Sequence, residues 1–330
     1  MRRGVVALAL LLSVVGGSIA DAAEPTGPSK GLKAYGLGWV QSLPPEAFPP
    51  PRYAVCIVDT GVAITPDTPA DDPNGPIIER SSVYDQSGSP PDAGPEQLHG
   101  TRMASAAVAP RNGWGAVGLN PLGRVRSVRA VADGTAGFTA SAYVRGINAC
   151  LSHLPEFPTA AISLSLGCSA CDVSEATRRA LVAAVERAKQ RGIVVLAAAG
   201  NSPGPVQFPA SVDGVLAVAA GGLKGRLCRY ASWGAQAALI APACPVYAAE
   251  PVSGAFEPRA DGGSSVATIE TAAFIAALRT LRPDVASSDE VVAWLRLGAR
   301  RVQGRPILNG RRAAERGGLA PVLRRASPRS

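Results

Sequence analysis

Histidine and aromatic side chains are scarce in this sequence. Of its 330 residues only two are histidine, His99 and His153, and phenylalanine, tyrosine and tryptophan together contribute 5%. This scarcity excludes a zinc site built on a histidine cluster and leaves only two candidates for a histidine base. Hydrophobic residues nevertheless reach 47% against 18% charged residues, which excludes a disordered chain. We therefore expect a sizeable core that is filled by small side chains.

Long apolar runs are also missing after the N-terminus. No later stretch approaches the roughly 18 residues that a membrane-spanning helix needs. Residues 1–22 combine Arg2 and Arg3 with an apolar run and the small-residue pattern Ala20-Asp21-Ala22, which is typical of a cleavable secretory signal peptide. An uncleaved anchor is the alternative. We predict a secreted or extracytoplasmic protein.

The six cysteines suit an exported chain, because an even number in such a chain favours disulfide bonds. Cys228 and Cys244 are close in sequence and are predicted to pair, and the sequence leaves the other pairings open. Cys168 and Cys171 form a CxxC motif that could instead serve redox or metal chemistry. Because no second CxxC completes a zinc site, structural cysteines are favoured.

Positive charge is concentrated at the end of the chain. The formal net charge is +8, and residues 305–330 carry seven arginines against a single acidic residue, Glu315. No aromatic residues are interleaved for stacking on bases, so no specific nucleic-acid binding is predicted. Residues 301–330 are predicted to form a solvated basic tail, for which contact with an anionic surface stays open.

Strand-like and helix-like segments alternate between these two ends. Residues 23–52 and 62–98 are rich in Pro, Gly, Ser or Asp and are predicted to be irregular. Strands are predicted at residues 53–59, 126–131, 160–166, 193–197, 215–219 and 238–240, and helices at residues 99–109, 141–153, 172–191, 265–281 and 288–297. This alternation predicts an α/β fold of three layers, a mostly parallel sheet with helices on both faces, in one domain over residues 53–300. Capping boxes are predicted to begin two of the helices, at Asp172 and Ser287.

Residues that suit nucleophilic hydrolysis stand at the ends of these elements. A serine nucleophile needs a base, a carboxylate that orients the base, and donors for the oxyanion. Asp59 ends the first strand, His99 opens a helix, and Asn201 follows the strand at residues 193–197. Parallel sheets bind ligands at such carboxyl ends. His153 is predicted to be a surface histidine at a helix end.

The stretch "ADGGSSVATIE" offers two adjacent serines as the nucleophile. Ser265 is predicted in the first helical turn, where the helix dipole favours negative charge. Ser264 is predicted to lie outside the helix, in a less suitable geometry. Residues 200–204 match the G-x-S-x-G elbow literally, but two prolines prevent the helix that this motif needs, and no histidine follows Ser202.

Four motifs, in order along the chain, resemble those of the subtilisin-like serine peptidases. "VCIVDTGV" resembles that family's aspartate motif, "HGTRMAS" its histidine motif, "AAAGN" its oxyanion asparagine motif, and "GGSSVA" its Gly-Thr-Ser-Met-Ala serine motif. The resemblance spans about residues 50–285. It implies that Asp59 orients the imidazole, His99 acts as base and then acid, Ser265 attacks, and Asn201 stabilises the oxyanion.

The resemblance also implies where substrate binds. Substrate-binding residues would be Gly134, Ser165, Leu166, Gly167, Ala198, Ala199 and Gly200. Substrates would be proteins or peptides, the enzyme is expected to be a monomer, and catalysis would require no metal or cofactor. The family's structural calcium sites are not recognisable, although Asp67, Asp71 and Asp72 lie in a suitable loop. The space before Asp59 leaves no room for the family's folded inhibitory pro-domain.

Several positions depart from the family's motifs without replacing a catalytic group. The departures are Arg102 and Ser105 in the histidine motif, and Ser264, Val266, Ile269 and Glu270 in the serine motif. Arg102 and Glu270 are expected to alter packing or electrostatics near the site. The sequence as a whole predicts a secreted serine endopeptidase that acts through an acyl-enzyme. The alternatives are a catalytically inactive family member that serves as a binding module, and an unrelated secreted α/β binding protein.

Overall fold

The computed structural model describes residues 30–43, 50–84, 98–132, 138–152, 157–167, 173–244, 246–249, 256–259 and 262–325. The strands are Ala54–Asp59 (β1), Ile77–Ser82 (β2), Arg124–Arg129 (β3), Thr159–Leu164 (β4), Val194–Ala198 (β5), Leu216–Gly222 (β6), Ala237–Cys244 (β7), Val246–Ala249 (β8), Phe256–Arg259 (β9), Arg300–Val302 (β10) and Arg305–Ile307 (β11). The helices are Lys30–Ala34 (α1), Gly38–Gln41 (α2), His99–Val108 (α3), Ala140–Ser152 (α4), Glu175–Gln190 (α5), Gly263–Leu281 (α6), Ser288–Gly298 (α7), Gly310–Arg316 (α8) and Ala320–Arg325 (α9).

A sheet of nine strands forms the centre of the molecule, in the order β10-β11-β7-β6-β5-β4-β1-β3-β2. All neighbours in it are parallel except β10 and β11. Strands β1, β4 and β5 are buried along their whole length, as expected for a sheet covered on both faces. Strands β8 and β9 form a separate antiparallel pair. The predicted α/β class and the mostly parallel sheet are confirmed.

Helices cover the sheet from both sides. Helices α3 and α6 pack against each other and against the sheet, and α4 and α5 form a second pair with their own contacts to the strands. Nearly every residue of α6 is buried, because this helix lies between the sheet and α3. Its small and apolar side chains suit such a position, and α6 carries the candidate nucleophile at its first turn.

Both predicted irregular ends differ from the structure. Within residues 23–52, the chain forms α1 and α2, and Tyr35 and Leu37 between them and Trp39 on α2 are buried in the core. After residue 300 the chain is no solvated tail up to residue 325: β11 joins the sheet beside β7, and α8 and α9 bury apolar residues such as Ala313 and Leu323. Because arginines are frequent in this segment, its amphipathic pattern is not evident from the sequence. Residues 1–29 and 326–330, and with them the predicted signal peptide, lie outside the described residues.

Smaller differences concern β2 and the helix caps. Strand β2 falls in the predicted loop region, because it is a half-exposed edge strand with little apolar character. Helix α5 begins at Glu175 with Ser174 as its N-cap, which accepts from Thr177 N–H, so Asp172 is not the cap. Ser287 is the N-cap of α7 as predicted, but its side chain makes no capping hydrogen bond.

Two disulfide bonds lie within the described residues. Cys228 pairs with Cys244, as predicted, and Cys56 on β1 pairs with Cys150 on α4, across 94 positions of sequence. The Cys56–Cys150 bond covalently links helix α4 to strand β1 of the sheet. Cys168 and Cys171 lie outside the described residues. Nowhere in the described chain is a helix both long and apolar enough to cross a bilayer.

Candidate active site

Three neighbouring strands bring the predicted site residues to one edge of the sheet. Strand β4 lies between β5 and β1, and all three run parallel. Ile57 pairs with Ser163, so two residues further along, Asp59 and Ser165 stand level where their strands end. Asn201 follows β5 on the other side of β4. The carboxyl ends of parallel strands are where such sheets bind ligands.

Asp59 and His99 form a hydrogen-bonded pair. The carboxylate Oδ1 of Asp59 lies 2.8 Å from Nδ1 of His99 and also accepts from Thr60 N–H at 2.7 Å. Asp59 is almost fully buried, with 1% of its side chain exposed, whereas 26% of the His99 side chain is exposed. This arrangement fixes the imidazole through Nδ1, so Nε2 is the ring nitrogen that is not engaged by Asp59. It matches the geometry of a base and its orienting acid.

The environment of His99 changes its basicity in opposing ways. Burial lowers the pKa of His99, while the charge and hydrogen bond of Asp59 raise it and the charge of Arg102 lowers it. The pKa of His99 ends above its ordinary value, because the contribution of Asp59 prevails. The imidazole therefore holds a proton more firmly than a free histidine does.

Ser265 lies in the first turn of α6, as predicted, and is nearly buried. Its hydroxyl donates to the carbonyl oxygen of Ser165 at 2.6 Å, and the Ser165 hydroxyl donates back to Ser265 O at 3.3 Å. Since a hydroxyl has one proton, Ser265 does not donate to His99 in this rotamer. The Ser265 hydroxyl must therefore turn away from Ser165 O before it can donate its proton to another group.

Asn201 is anchored by its carbonyl oxygen, which leaves its amide nitrogen free to donate. Oδ1 accepts from the backbone N–H of Ser264 at 2.7 Å and from the Ser264 hydroxyl at 3.0 Å. Asn201 itself is exposed, and Nδ2 makes no hydrogen bond to any described residue. Gly263 has a φ of +67°, and a Cβ atom there would lie 2.9 Å from Nδ2. Glycine therefore keeps the space beside this amide open.

Ser264 lies inside α6, not before it as predicted. Its side chain is completely buried. The buried hydroxyl is satisfied because it accepts from Gly200 N–H at 3.1 Å and donates to Asn201. These bonds occupy the hydroxyl and tie the loop after β5 to the start of α6. Ser264 is thereby a link between the asparagine and the helix.

The predicted pocket walls lie on either side of a residue that the sequence did not indicate. A Cβ atom on Gly167 would lie 3.4 Å from Gln207 Oε1, and one on Gly200 would lie 2.5 Å from Gln207 Cδ. The Gln207 side chain thus fills the space between the two walls. Its backbone N–H also donates to Ala199 O at 2.9 Å. A glutamine in a loop carries no sequence signal for such a position.

A buried aromatic residue supports one of these walls. The hydroxyl of Tyr143 donates to the carbonyl oxygen of Leu166 at 3.0 Å, and its ring stacks on Phe138 and meets the edge of Phe208. Burial raises the pKa of Tyr143, so this donor stays protonated throughout the ordinary pH range. The backbone at Leu166 is therefore held from behind by a rigid group.

The remaining predicted residues are dispersed. Gly134 and His153 lie outside the described residues. Asp67 is buried and accepts from the Ser105 hydroxyl and from Ala116 N–H, and Asp71 pairs with Arg80. The third acidic residue of this loop, Asp72, accepts from Asn74 N–H. In the described part of the chain no three His, Cys, Asp or Glu side chains are grouped to hold a metal.

Glu270 is a buried acid on the helix that carries Ser265. Its carboxyl oxygen Oε2 has no hydrogen-bond partner among the described residues, and 6% of the residue is exposed. Burial raises the pKa of Glu270 well above its ordinary value, which favours the neutral acid. The position at which the sequence predicts an electrostatic departure thus holds a buried carboxyl on the helix that carries Ser265.

The chain is similar in sequence to several known proteases. It is 32% identical over 194 residues to the thermophilic serine proteinase of Bacillus sp. (strain AK1), which covers 57% of this chain and 43% of that protein. Subtilisin DY of Bacillus licheniformis is 28% identical over 224 residues, with 66% of this chain and 74% of that protein covered. The chain spans less than half the length of the Bacillus sp. proteinase, and 46% of a thermostable alkaline protease of Halalkalibacterium halodurans.

Solved structures and a family profile complete the comparison. A structure of the subtilase cytotoxin SubAB assembly superposes with a TM-score of 0.68 at 21% identity over 91% of this chain and 98% of that one. Proteases from Pseudoalteromonas arctica PAMC 21717 give 0.68 at 22% identity over 86% and 94%. These two likenesses show the fold. The profile of the subtilase family matches residues 52–312, which is most of the chain and contains all four motifs. The resemblance read from the motifs is therefore confirmed: the chain belongs to the subtilase family.

Proposed function

We propose that this protein is a secreted serine endopeptidase in which Asp59, His99 and Ser265 form the catalytic triad. The observation that carries the proposal is the 2.8 Å contact between Asp59 and His99 at the strand edge where Ser265 and Asn201 also lie. Family membership and the named protease relatives support the reaction class.

The mechanism follows from the donors and acceptors of the site. After rotation of its hydroxyl, Ser265 transfers its proton to Nε2 of His99 while Oγ bonds to the carbonyl carbon of the scissile peptide. Asp59 stabilises the imidazolium that results. The oxyanion accepts from Asn201 Nδ2 and from backbone N–H at the start of α6, whose dipole favours negative charge.

Collapse of the tetrahedral intermediate breaks the C–N bond, and His99 returns its proton to the departing amine. The acyl group stays on Ser265 until a water molecule, deprotonated by His99, attacks the ester carbon and regenerates the hydroxyl. No step requires a metal. Gln207 between Gly167 and Gly200 reduces the depth of the proposed pocket, so we expect a small residue before the cleaved bond.

The export of the protein belongs to the same proposal. Residues 1–22 have the charged start, apolar run and small residues of a cleavable signal. "Minor extracellular protease Epr" of Bacillus subtilis, 25% identical over 190 residues, is a relative whose name describes it as extracellular. Two disulfide bonds in the described residues are consistent with an oxidising compartment.

One observation favours a catalytically inactive binding module as the second candidate. The Ser265 hydroxyl donates to Ser165 O and not to His99. In an inactive member this contact would be permanent, and the pocket would hold a peptide without cleaving it.

Labelling by a fluorophosphonate separates the two candidates. We expect the purified wild-type protein to be modified covalently at Ser265, and Ser265→Ala to abolish labelling completely. Ser264→Ala is the matched control, because it removes the neighbouring hydroxyl and should leave the labelled serine in place. Peptide mapping identifies the modified residue. A folded wild-type protein that stays unlabelled would show that the endopeptidase proposal is wrong.

A further inference from the structure

Five oxygen ligands of the loop after Asp59 converge on one side chain, the guanidinium of Arg80 on β2. We call this arrangement the Arg80 cage. Its members are the carbonyl oxygens of Val62 (2.7 Å), Thr68 (2.9 Å), Pro69 (2.9 Å) and Ala63 (3.3 Å), each accepting from Arg80, and the carboxylate of Asp71. The backbone N–H of Arg80 also donates to Asp71 at 3.0 Å. All three guanidinium nitrogen atoms are used.

The chemistry of the Arg80 cage is that of a cation site. Four carbonyl dipoles and a carboxylate that point to one place repel each other unless a positive charge lies between them. Carbonyl and carboxylate oxygens are also the ligands that a hard cation such as Ca²⁺ takes in proteins. Here a guanidinium, which stays charged at all ordinary pH values, fills the place. Only 6% of the Arg80 side chain is exposed, so solvent screens these contacts weakly.

The caged loop also holds the first turn of α3. The hydroxyl of Thr60 accepts from Gly100 N–H at 2.9 Å, and Ala63 N–H donates to the Thr101 hydroxyl at 2.8 Å. A Cβ atom on Gly100 would collide with the carbonyl oxygen of Gly61, so loop and helix are in close backbone contact. His99 therefore stands on a turn that is fixed to the loop, and Arg80 fixes the loop to β2.

We propose that Arg80 is a positioning residue that sets the Asp59–His99 geometry by acting as the built-in cation of this loop. Removal of the guanidinium leaves carbonyl oxygens and Asp71 without their common donor. The loop then relaxes, the turn that carries His99 shifts, and the Asp59–His99 hydrogen bond lengthens. The inference concerns the proposed catalytic pair, but its test does not depend on activity.

The test uses the pKa of His99 measured by NMR in the full chain. Only two histidines are present, so the His99 ring signals can be assigned with His99→Gln. We expect Arg80→Ala to lower the pKa of His99 toward its ordinary value, because the contribution of Asp59 weakens with distance. The rate of fluorophosphonate labelling should fall about tenfold to 100-fold, as expected for a misplaced catalytic group.

Chemical rescue distinguishes a positioning cation from a merely structural contact. Methylguanidinium at millimolar concentration should restore most of the labelling rate and the His99 pKa in Arg80→Ala, but change neither in the wild-type protein. Arg80→Lys, which keeps a charge without the fork of donors, should lie between the two. This variant also serves as the test if Arg80→Ala does not fold.

The matched control is Glu79→Gln on the same strand. Glu79 pairs with the buried Arg126 at 2.9 Å and does not contact the Arg80 cage. It should lower the thermal unfolding midpoint without changing the His99 pKa. The inference is overturned if the folded Arg80 variants keep the wild-type pKa, or if Glu79→Gln shifts it equally. If the wild-type protein is not labelled, the proposed function fails, while the NMR comparison still decides the role of Arg80.

Discussion

The two halves of the candidate site are held in place by different chemistry. On one side, charged groups surround the imidazole of His99: the carboxylate of Asp59, the Arg80 cage and the guanidinium of Arg102. On the other side, Ser265 and Asn201 are held by neutral donors and acceptors, chiefly the Ser264 hydroxyl, the Ser165 carbonyl and backbone amides.

The two halves therefore control different properties of the site. The charged half determines the proton affinity of His99. Because charges act over several ångströms, this affinity responds to pH and to substitution of neighbouring charged residues. The neutral half determines the place where the oxyanion forms, and hydrogen bonds of this kind act only at contact distance. We therefore expect substitutions in the neutral half to change the rate without changing its pH dependence.

The largest expected effect lies in the neutral half. Asn201→Ala should lower kcat about 100- to 1,000-fold with little change in KM, because the amide stabilises charge that exists only in the transition state. Ser264→Ala should lower kcat about fivefold to tenfold, since Ser264 N–H still holds Asn201 Oδ1 at 2.7 Å. Kinetics on a cleaved peptide measure both.

The double variant tests whether Ser264 acts through Asn201. If it does, adding Ser264→Ala to Asn201→Ala should cause no further loss. Losses that multiply would contradict the link. Neither substitution should move the pH at which the rate is half maximal.

Glu270 is a titratable group on α6, the helix of the neutral half. A change of its charge with pH would contradict the contrast between the two halves. Burial raises its pKa in the folded state, so the folded protein binds a proton more tightly than the unfolded chain does. Stability from this group is complete below the unfolded pKa of about 4.5 and is lost as pH rises through the folded pKa. Glu270→Gln should therefore flatten the decline of the thermal midpoint as pH rises above about 4.5. Tyr35 and Arg300, the titratable groups nearby, are unchanged in this variant.

The exposed Glu186 on α5 provides the control for Glu270. Glu186→Gln should leave the pH dependence of the thermal midpoint as it is in the wild-type protein. If the thermal midpoint falls with pH equally steeply in the wild type and in Glu270→Gln, Glu270 ionises without loss of stability. No buried group of the neutral half would then titrate with an effect on stability.

The smallest expected effect is a pH shift in the charged half. Because the pKa of His99 is raised, the labelling rate of the wild-type protein should reach half its maximum above pH 6.5. Arg102 lowers this pKa by its charge, so Arg102→Ala should move the half-point further upward, whereas Arg102→Lys should stay near wild type. A downward shift in Arg102→Ala would assign Arg102 another role.

The sequence is most informative where elements are buried and contiguous. Strands β1, β4 and β5 are uninterrupted apolar runs, and the polar residues that end them stand out for that reason. Asp59, His99, Asn201 and Ser265 can thus be located at the ends of their elements, and the resemblance of four motifs to one family predicts that they belong to one site. The cysteine pair Cys228–Cys244 is predictable in the same way, because its partners are close in sequence.

Contacts between distant segments are not predictable. Cys56 and Cys150 are 94 residues apart, and no pattern in the sequence identifies them as partners. Arg80 lies on an edge strand whose polar residues are typical of a loop, and all its acceptors except Asp71 are backbone carbonyls, which any residue type can supply. The prediction for the segment after residue 300 is wrong because arginines stand between the apolar residues that it buries, among them Ile307, Leu308 and Leu323.

The C-terminal segment has a consequence for the order in which the molecule is assembled. Leu308 N–H donates to Ile240 O on β7, and Gly310 N–H donates to Tyr35 O between α1 and α2. Residues 308–310 therefore contact a segment that is synthesised about 270 residues earlier as well as β7. A nascent chain that ends before residue 307 leaves the edge of β7 unpaired and Leu37 uncovered. The domain therefore closes only after residues 305–310 have been made.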